Sequence, residues 1–192
     1  MASTGSQADH ATSLETELHA HGPLAPELAT FAQFIGAWDL AWSRPGDPDA
    51  PTGVRGRLVF GPVLGGRAVQ DVWTVPSTSP PQPGHGFCGS TIRFFDPQIG
   101  AWRSTWVEPV NGWVRTFIGR EVGGEIHLVS LEEPPLLRWR FTEITQERFV
   151  WLGEYSDDEA RTWRLEERMV AQRTTGREVA TNVRSSGNEP SD

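Results

Sequence analysis

Nine tryptophans are spread over a chain whose apolar residues mostly alternate with polar ones in short runs. They are Trp38, Trp42, Trp73, Trp102, Trp106, Trp113, Trp139, Trp151 and Trp163. Alternation marks half-buried strands, and large side chains carried on many strands must share one interior. A sheet closed on itself gives them that interior, as a packed core or as the wall of a cavity.

The period changes once along the chain. Leu24, Leu28, Phe31 and Ile35 follow helical spacing, with Pro26 suited to a first turn and Gly36 to a stop, so a helix is expected over 26–35. After Gly36 the period is two. Strands are expected at 37–43, 54–60, 66–75, 87–95, 101–108, 112–119, 125–131, 136–143, 147–155 and 162–172. Short Gly, Pro, Asn and Asp segments separate them, and the longest break, Pro76–Gly86, reads as a surface loop. Strands joined mainly by tight turns suggest an antiparallel meander, and closure removes its exposed edges. The expected fold is all-β: an antiparallel up-and-down barrel of about ten strands with a short N-terminal helix. Residues 1–22 and 174–192 are polar and read as flexible tails around a barrel domain at 23–173.

Composition narrows the partners. The formal charge of −8 argues against nucleic acid and anionic membrane surfaces. No apolar run approaches membrane-spanning length, and the polar N-terminal stretch lacks the apolar core of a signal peptide. A single cysteine, Cys88, excludes an intrachain disulfide and fits a reducing compartment. A cytoplasmic protein is expected, and a homodimer is compatible with this composition.

Strand alternation also sorts the ionisable residues. Asp71 shares a face with Val69 and Trp73, Arg93 with Thr91 and Phe95, and Arg115 with Trp113 and Phe117. Trp102, Ser104, Trp106 and Glu108 form another face. Phe149, Trp151 and Tyr155 form one, and Leu137, Trp139 and Phe141 another. On the last strand Glu167 is expected to face inward with Trp163, Leu165, Met169 and Ala171. Charges in an aromatic interior must pair or be used. Asp71, Arg93, Arg115 and Glu167 are therefore either an internal salt-bridge network or polar anchors in a ligand cavity. A carboxyl group among indoles can hold its proton and act as an acid, which makes Glu167 and Asp71 the candidate catalytic pair. Arg93 and Arg115, with Trp73, Trp102, Trp106, Trp113, Trp139, Trp151 and Tyr155, are the candidate ligand-binding residues.

Other motifs carry less. Gly84, Gly86 and Gly89 spell G-x-G-x-x-G, but a proline-rich loop precedes them and a strand follows, so no dinucleotide site is expected. Gly61–Gly66 lacks the Lys-Ser/Thr ending of a phosphate loop. His19 and His21 lie in the N-terminal tail and His85 in the long loop, and no metal site or cofactor is expected. His127 is on a strand whose faces are ambiguous. It is a wall residue, or else a proton shuttle or haem ligand. No nucleophile motif surrounds Cys88 or a serine. Ser156–Trp163 resembles the Asp-box hairpin, Ser-x-Asp-x-Gly-x-Thr-Trp, with Ala160 at the glycine position. There Asp158 would cap the turn and Trp163 pack beneath it.

Three stretches together carry a family resemblance. Phe34-Ile35-Gly36-Ala37-Trp38 resembles the Gly-x-Trp opening of lipocalin-like barrels, in which the Trp packs across the base. Thr91–Pro97 with Trp102 and Trp106, and Phe149-Val150-Trp151 running into the hairpin, resemble a bacterial lipocalin-like (calycin-type) family without an assigned activity. The resemblance implies a barrel over 31–173 with a small hydrophobic molecule, aromatic or polyketide-like, as its partner. Two alternatives stand beside that reading. One is a cofactor-free cyclase, isomerase or dehydratase of specialised metabolism; the other is a filled barrel serving as an interaction module.

Overall fold

The computed structural model describes residues 23–46, 53–76, 86–131 and 135–174. Ten antiparallel strands form a closed barrel: β1 Gly36–Ser43, β2 Val54–Val63, β3 Ala68–Val75, β4 Phe87–Asp96, β5 Ala101–Glu108, β6 Trp113–Val122, β7 Glu125–Ser130, β8 Leu136–Thr142, β9 Arg148–Ser156 and β10 Arg164–Arg173. Each strand pairs with the next, and β1 closes on β10 through Trp38–Arg173 to Ser43–Arg168. The up-and-down barrel expected from the alternation is therefore the fold. No helix among the described residues is long and apolar enough to cross a membrane. The expected tail at 1–22, with His19 and His21, lies outside the described residues, as do His85 and all of the expected 174–192 tail but Thr174, whose amide donates to the Ala37 carbonyl at 2.9 Å.

The helix is shorter than its spacing predicts. A 3-10 turn at Pro26–Leu28 runs into α1, Ala29–Ala32, and regular helix stops there. The amides of Phe34 and Ile35 bond three residues back, to Phe31 and Ala32. The carbonyls just past the helix are taken by side chains from further along the chain. Trp38 Nε1 donates to Phe34 at 2.7 Å, and the Arg173 guanidinium donates to Gln33 and Ile35 at 2.9 Å. Arg173 also lies 4.1 Å over the Trp38 ring. Trp38 and Arg173 thus tie the helical segment to the first and last strands.

That segment plugs one end of the barrel. Leu28, Phe31 and Phe34 are buried beneath Trp38, Phe60, Phe141 and Phe149. Phe34 lies 4.9 Å from Phe149 and 5.2 Å from Phe141. Within this plugged end Arg93 and Asp71 form a fully buried ion pair. The Thr91 amide donates to the second Asp71 oxygen at 3.1 Å. Rings of Phe31, Phe60 and Phe141 pack around the guanidinium at 5.0, 5.5 and 5.8 Å. Burial raises the Asp71 pKa against the opposing pull of Arg93 and the Thr91 amide.

The Ser156–Trp163 hairpin is a polar turn device. Asp158 accepts from the Thr162 amide at 2.8 Å, the Thr162 hydroxyl at 2.6 Å and the Ser156 hydroxyl at 2.8 Å. These bonds lower its pKa to about 2. Ala160 takes a left-handed conformation, φ 66°, where a glycine would be unstrained. Trp163 packs 4.3 Å from the Arg138 guanidinium instead of turning inward.

Removing one partner of a buried ion pair leaves the other charge stranded, at a cost of about 3–5 kcal/mol. Asp71→Leu and Arg93→Met are each expected to lose stability on that scale in urea unfolding. The double variant is expected to lose less than either single one. Near-additive losses would contradict the pairing.

Candidate functional site

The other half of the barrel is hollow. A cavity of about 670 Å³ opens at the end opposite the plug. That size suits a small organic molecule. Its polar and aromatic lining comes from Arg44 beyond β1, Trp73 on β3, Phe87 on β4, Trp106 and Glu108 on β5, Trp113 and Arg115 on β6, Trp139 on β8, Trp151 and Tyr155 on β9, and Glu167 on β10.

Four of the indoles form one cluster. Trp73 lies 5.0 Å from Trp151, 5.6 Å from Trp106 and 6.2 Å from Trp139. Trp139 lies 5.9 Å from Trp106 and 5.4 Å from Trp151, and Phe117 backs it at 4.2 Å. The contacts are mostly edge-to-face, which matches the positive ring edge to the negative face. Two inward-facing glycines make room for the cluster. Trp73 lies opposite Gly89 and Trp139 opposite Gly153 in the ladders. A Cβ on Gly89 would overlap the Trp106 ring, and one on Gly153 would sit 2.7 Å from the Trp151 ring. Neither glycine needs positive φ, so each is there for space.

Glu167 lies on the cavity wall with most of its side chain buried. It accepts from Trp42 Nε1 at 3.1 Å and from Arg44 at 3.4 Å. Arg44 stacks 5.3 Å over the Trp42 ring. Burial raises the Glu167 pKa above the usual carboxylate range, and the Trp42 and Arg44 contacts only partly offset it. The ladder slips by one residue just before it: Leu165 faces Glu154, whereas Glu167 faces Gly153. The bulge corrects the expectation that Trp163, Leu165 and Glu167 share one inward face. Strict alternation fails across an extra residue. Met169 and Ala171, beyond the bulge, are buried as expected.

The remaining candidates divide by position. Trp73, Trp106, Trp113, Trp139, Trp151, Tyr155, Arg115 and Glu167 line the cavity. Asp71 and Arg93 do not: they are spent on each other in the plugged end. Trp102 is also at that end, 4.7 Å from Phe31 and 6.0 Å from Phe95. Asp71 and Glu167 are therefore not a pair within one site. Glu108 faces the cavity but is tied to its turn by the amides of Val110 and Asn111 at 2.7 and 3.0 Å. His127 lies on the outer wall, where it meets Glu125 at 2.8 Å beside Arg140. Its neighbours Ile126 and Leu128 take the inner face, so it cannot ligate a group held in the cavity. Cys88 is exposed on β4.

Arg44, Phe87, Gly153, Asp157 and Glu166 are among the lining residues that are not candidates from the sequence. Arg44 follows a strand directly and looked like loop. Phe87 and Gly153 carried a signal in retrospect: each sits two residues from another inward position, as Phe87-x-Gly89 and Trp151-x-Gly153-x-Tyr155.

These features define a closed antiparallel barrel, plugged at one end and hollow at the other. A solved structure agrees at the level of fold. The crystal structure of Rv2717c from M. tuberculosis is similar over 79% of this chain and 99% of its own, with a TM-score of 0.52 and 12% identity. The S-type phycobiliprotein lyase CPES from Guillardia theta covers 77% of this chain and 92% of its own, with a TM-score of 0.48 and 10% identity. No family model and no curated protein matches the sequence.

A carboxyl group whose folded pKa is raised keeps its proton to higher pH in the folded state than in the unfolded one. Its contribution to stability is then greatest at low pH and falls as pH rises from the unfolded value, about 4.3, towards the folded one. Glu167→Gln removes that loss. The stability of the variant relative to the parent is expected to grow as pH rises from about 4 towards neutrality. A difference that shrinks over this range would contradict the burial argument.

Proposed function

We propose that this protein binds a small, largely apolar, aromatic molecule in the open half of its barrel. The observation that carries the reading is the 670 Å³ cavity standing over the cluster of Trp73, Trp106, Trp139 and Trp151. Flat apolar ligands gain from stacking on indoles and from leaving water, and the rigid rings lose little entropy on binding. Glu167, Arg44 and Arg115 would orient the bound molecule by its polar groups. The cavity also argues against a filled barrel serving only as an interaction module.

A second reading, a cofactor-free cyclase or isomerase, is supported by one group. Glu167 combines burial with access to the cavity, as a proton donor to a bound substrate requires. Asp71 is no partner for it, because Arg93 holds it outside the cavity. The binding reading therefore rests on the whole lining and the enzymatic one on a single carboxyl group.

The neutral probe N-phenyl-1-naphthylamine tests the pocket. One equivalent is expected to bind, with brightened probe emission and quenched tryptophan emission. Trp139→Ala is expected to weaken binding by about tenfold, a cost of about 1.4 kcal/mol. Absence of both optical changes over a full titration would refute the proposal.

A further inference from the structure

We infer that the cavity selects an aromatic molecule carrying a protonated amine, held between the Trp151 ring and the Glu167 carboxylate; this rests on the binding function proposed above. The first support is the juxtaposition itself. Gly153 lies opposite Glu167 in the ladder and lines the cavity. A Cβ at Gly153 would meet the Trp151 ring at 2.7 Å and Glu167 Cβ at 3.4 Å. The missing side chain thus lets the edge of the Trp151 indole come alongside the base of the Glu167 side chain. An indole face and an anion are the two groups that an organic ammonium binds best, and both gain strength away from water.

Arg44 already makes this pattern with the protein's own cation. Its guanidinium stacks over Trp42 at 5.3 Å while reaching Glu167 at 3.4 Å. That contact is long for a charge-assisted hydrogen bond. Among the described residues Trp42 and Arg44 are the donors to Glu167, so the carboxylate keeps acceptor capacity. An ammonium group brings donors for it and would stabilise the charged form that burial disfavours.

Charge balance favours a cation over an anion. Among the described residues four carboxylates line the cavity against two arginines: Glu108, held by its turn amides, Asp157, facing Arg164 at 3.7 Å, Glu166 and Glu167. Of the arginines, Arg44 is engaged by Glu167, and Arg115 donates to the exposed Val114 carbonyl at 3.2 Å. A ligand carboxylate reaching the indole cluster would approach Glu167 with no new cation to offset it.

Three compounds of one shape separate the possibilities: 2-naphthylmethylamine, 2-naphthalenemethanol and 2-naphthoic acid, titrated into the full chain by calorimetry at neutral pH. The amine is expected to bind about tenfold more tightly than the alcohol, and the acid to bind most weakly. Glu167→Gln is expected to abolish the amine's advantage over the alcohol, and continued binding of the alcohol reports that the variant is folded. An amine no tighter than the alcohol, or an advantage that survives Glu167→Gln, overturns the inference while leaving the pocket intact. Failure of all three compounds to bind overturns the pocket itself, and the inference with it.

Discussion

The buried pair of Arg93 and Asp71 is the constraint on which the division of the barrel depends. Two opposite charges fully removed from water are tolerated only with close pairing and added hydrogen bonds. The Thr91 amide and three phenylalanine rings supply that setting. Two of the rings come from strands, but Phe31 comes from the helical plug. Seating the plug therefore completes the environment of the charge, and the charge in turn fixes the seat. Trp38 and Arg173 lock the same segment from the rim. With that end filled, the hollow lies at the other.

The hollow half is shaped by what glycine omits. Ten strands enclose more space than aliphatic side chains would fill evenly. Here indoles fill part of it as a cluster, and Gly89 and Gly153 provide the slots into which Trp106 and Trp151 lean. The space left over is bounded by aromatic rings, with the Glu167 carboxylate at its side. A rigid aromatic wall beside a carboxylate can discriminate ligands by charge as well as by shape. The β10 bulge matters for the same reason, because it brings Glu167 opposite Gly153.

The architecture was legible in the alternation from Gly36 onward, since period-two patterning and turn residues are local signals. The inward faces of β5, β8 and β9 followed from it directly. Three things did not. The β10 bulge inserts a residue that no local pattern marks, so the partners of Glu167 were misassigned. The level of each residue along the barrel axis depends on register across strands, so Asp71 and Arg93 could not be told apart from cavity residues. The early end of the helix comes with three-residue bonding at Phe34 and Ile35, which helical spacing does not mark, and the segment is capped by Arg173 from about 140 residues away, as the contact to Gln33 shows.

The central claim is that one barrel holds a closed, charged base and an open, aromatic cavity. Fluorine NMR of protein labelled with 5-fluorotryptophan, titrated with N-phenyl-1-naphthylamine and assigned by single Trp→Phe variants, tests it most directly. The account predicts that Trp73, Trp106, Trp139 and Trp151 shift together at one equivalent, while Trp38 and Trp102 stay in place. Shifts confined to Trp38 and Trp102, or equal shifts at all nine positions, would contradict it.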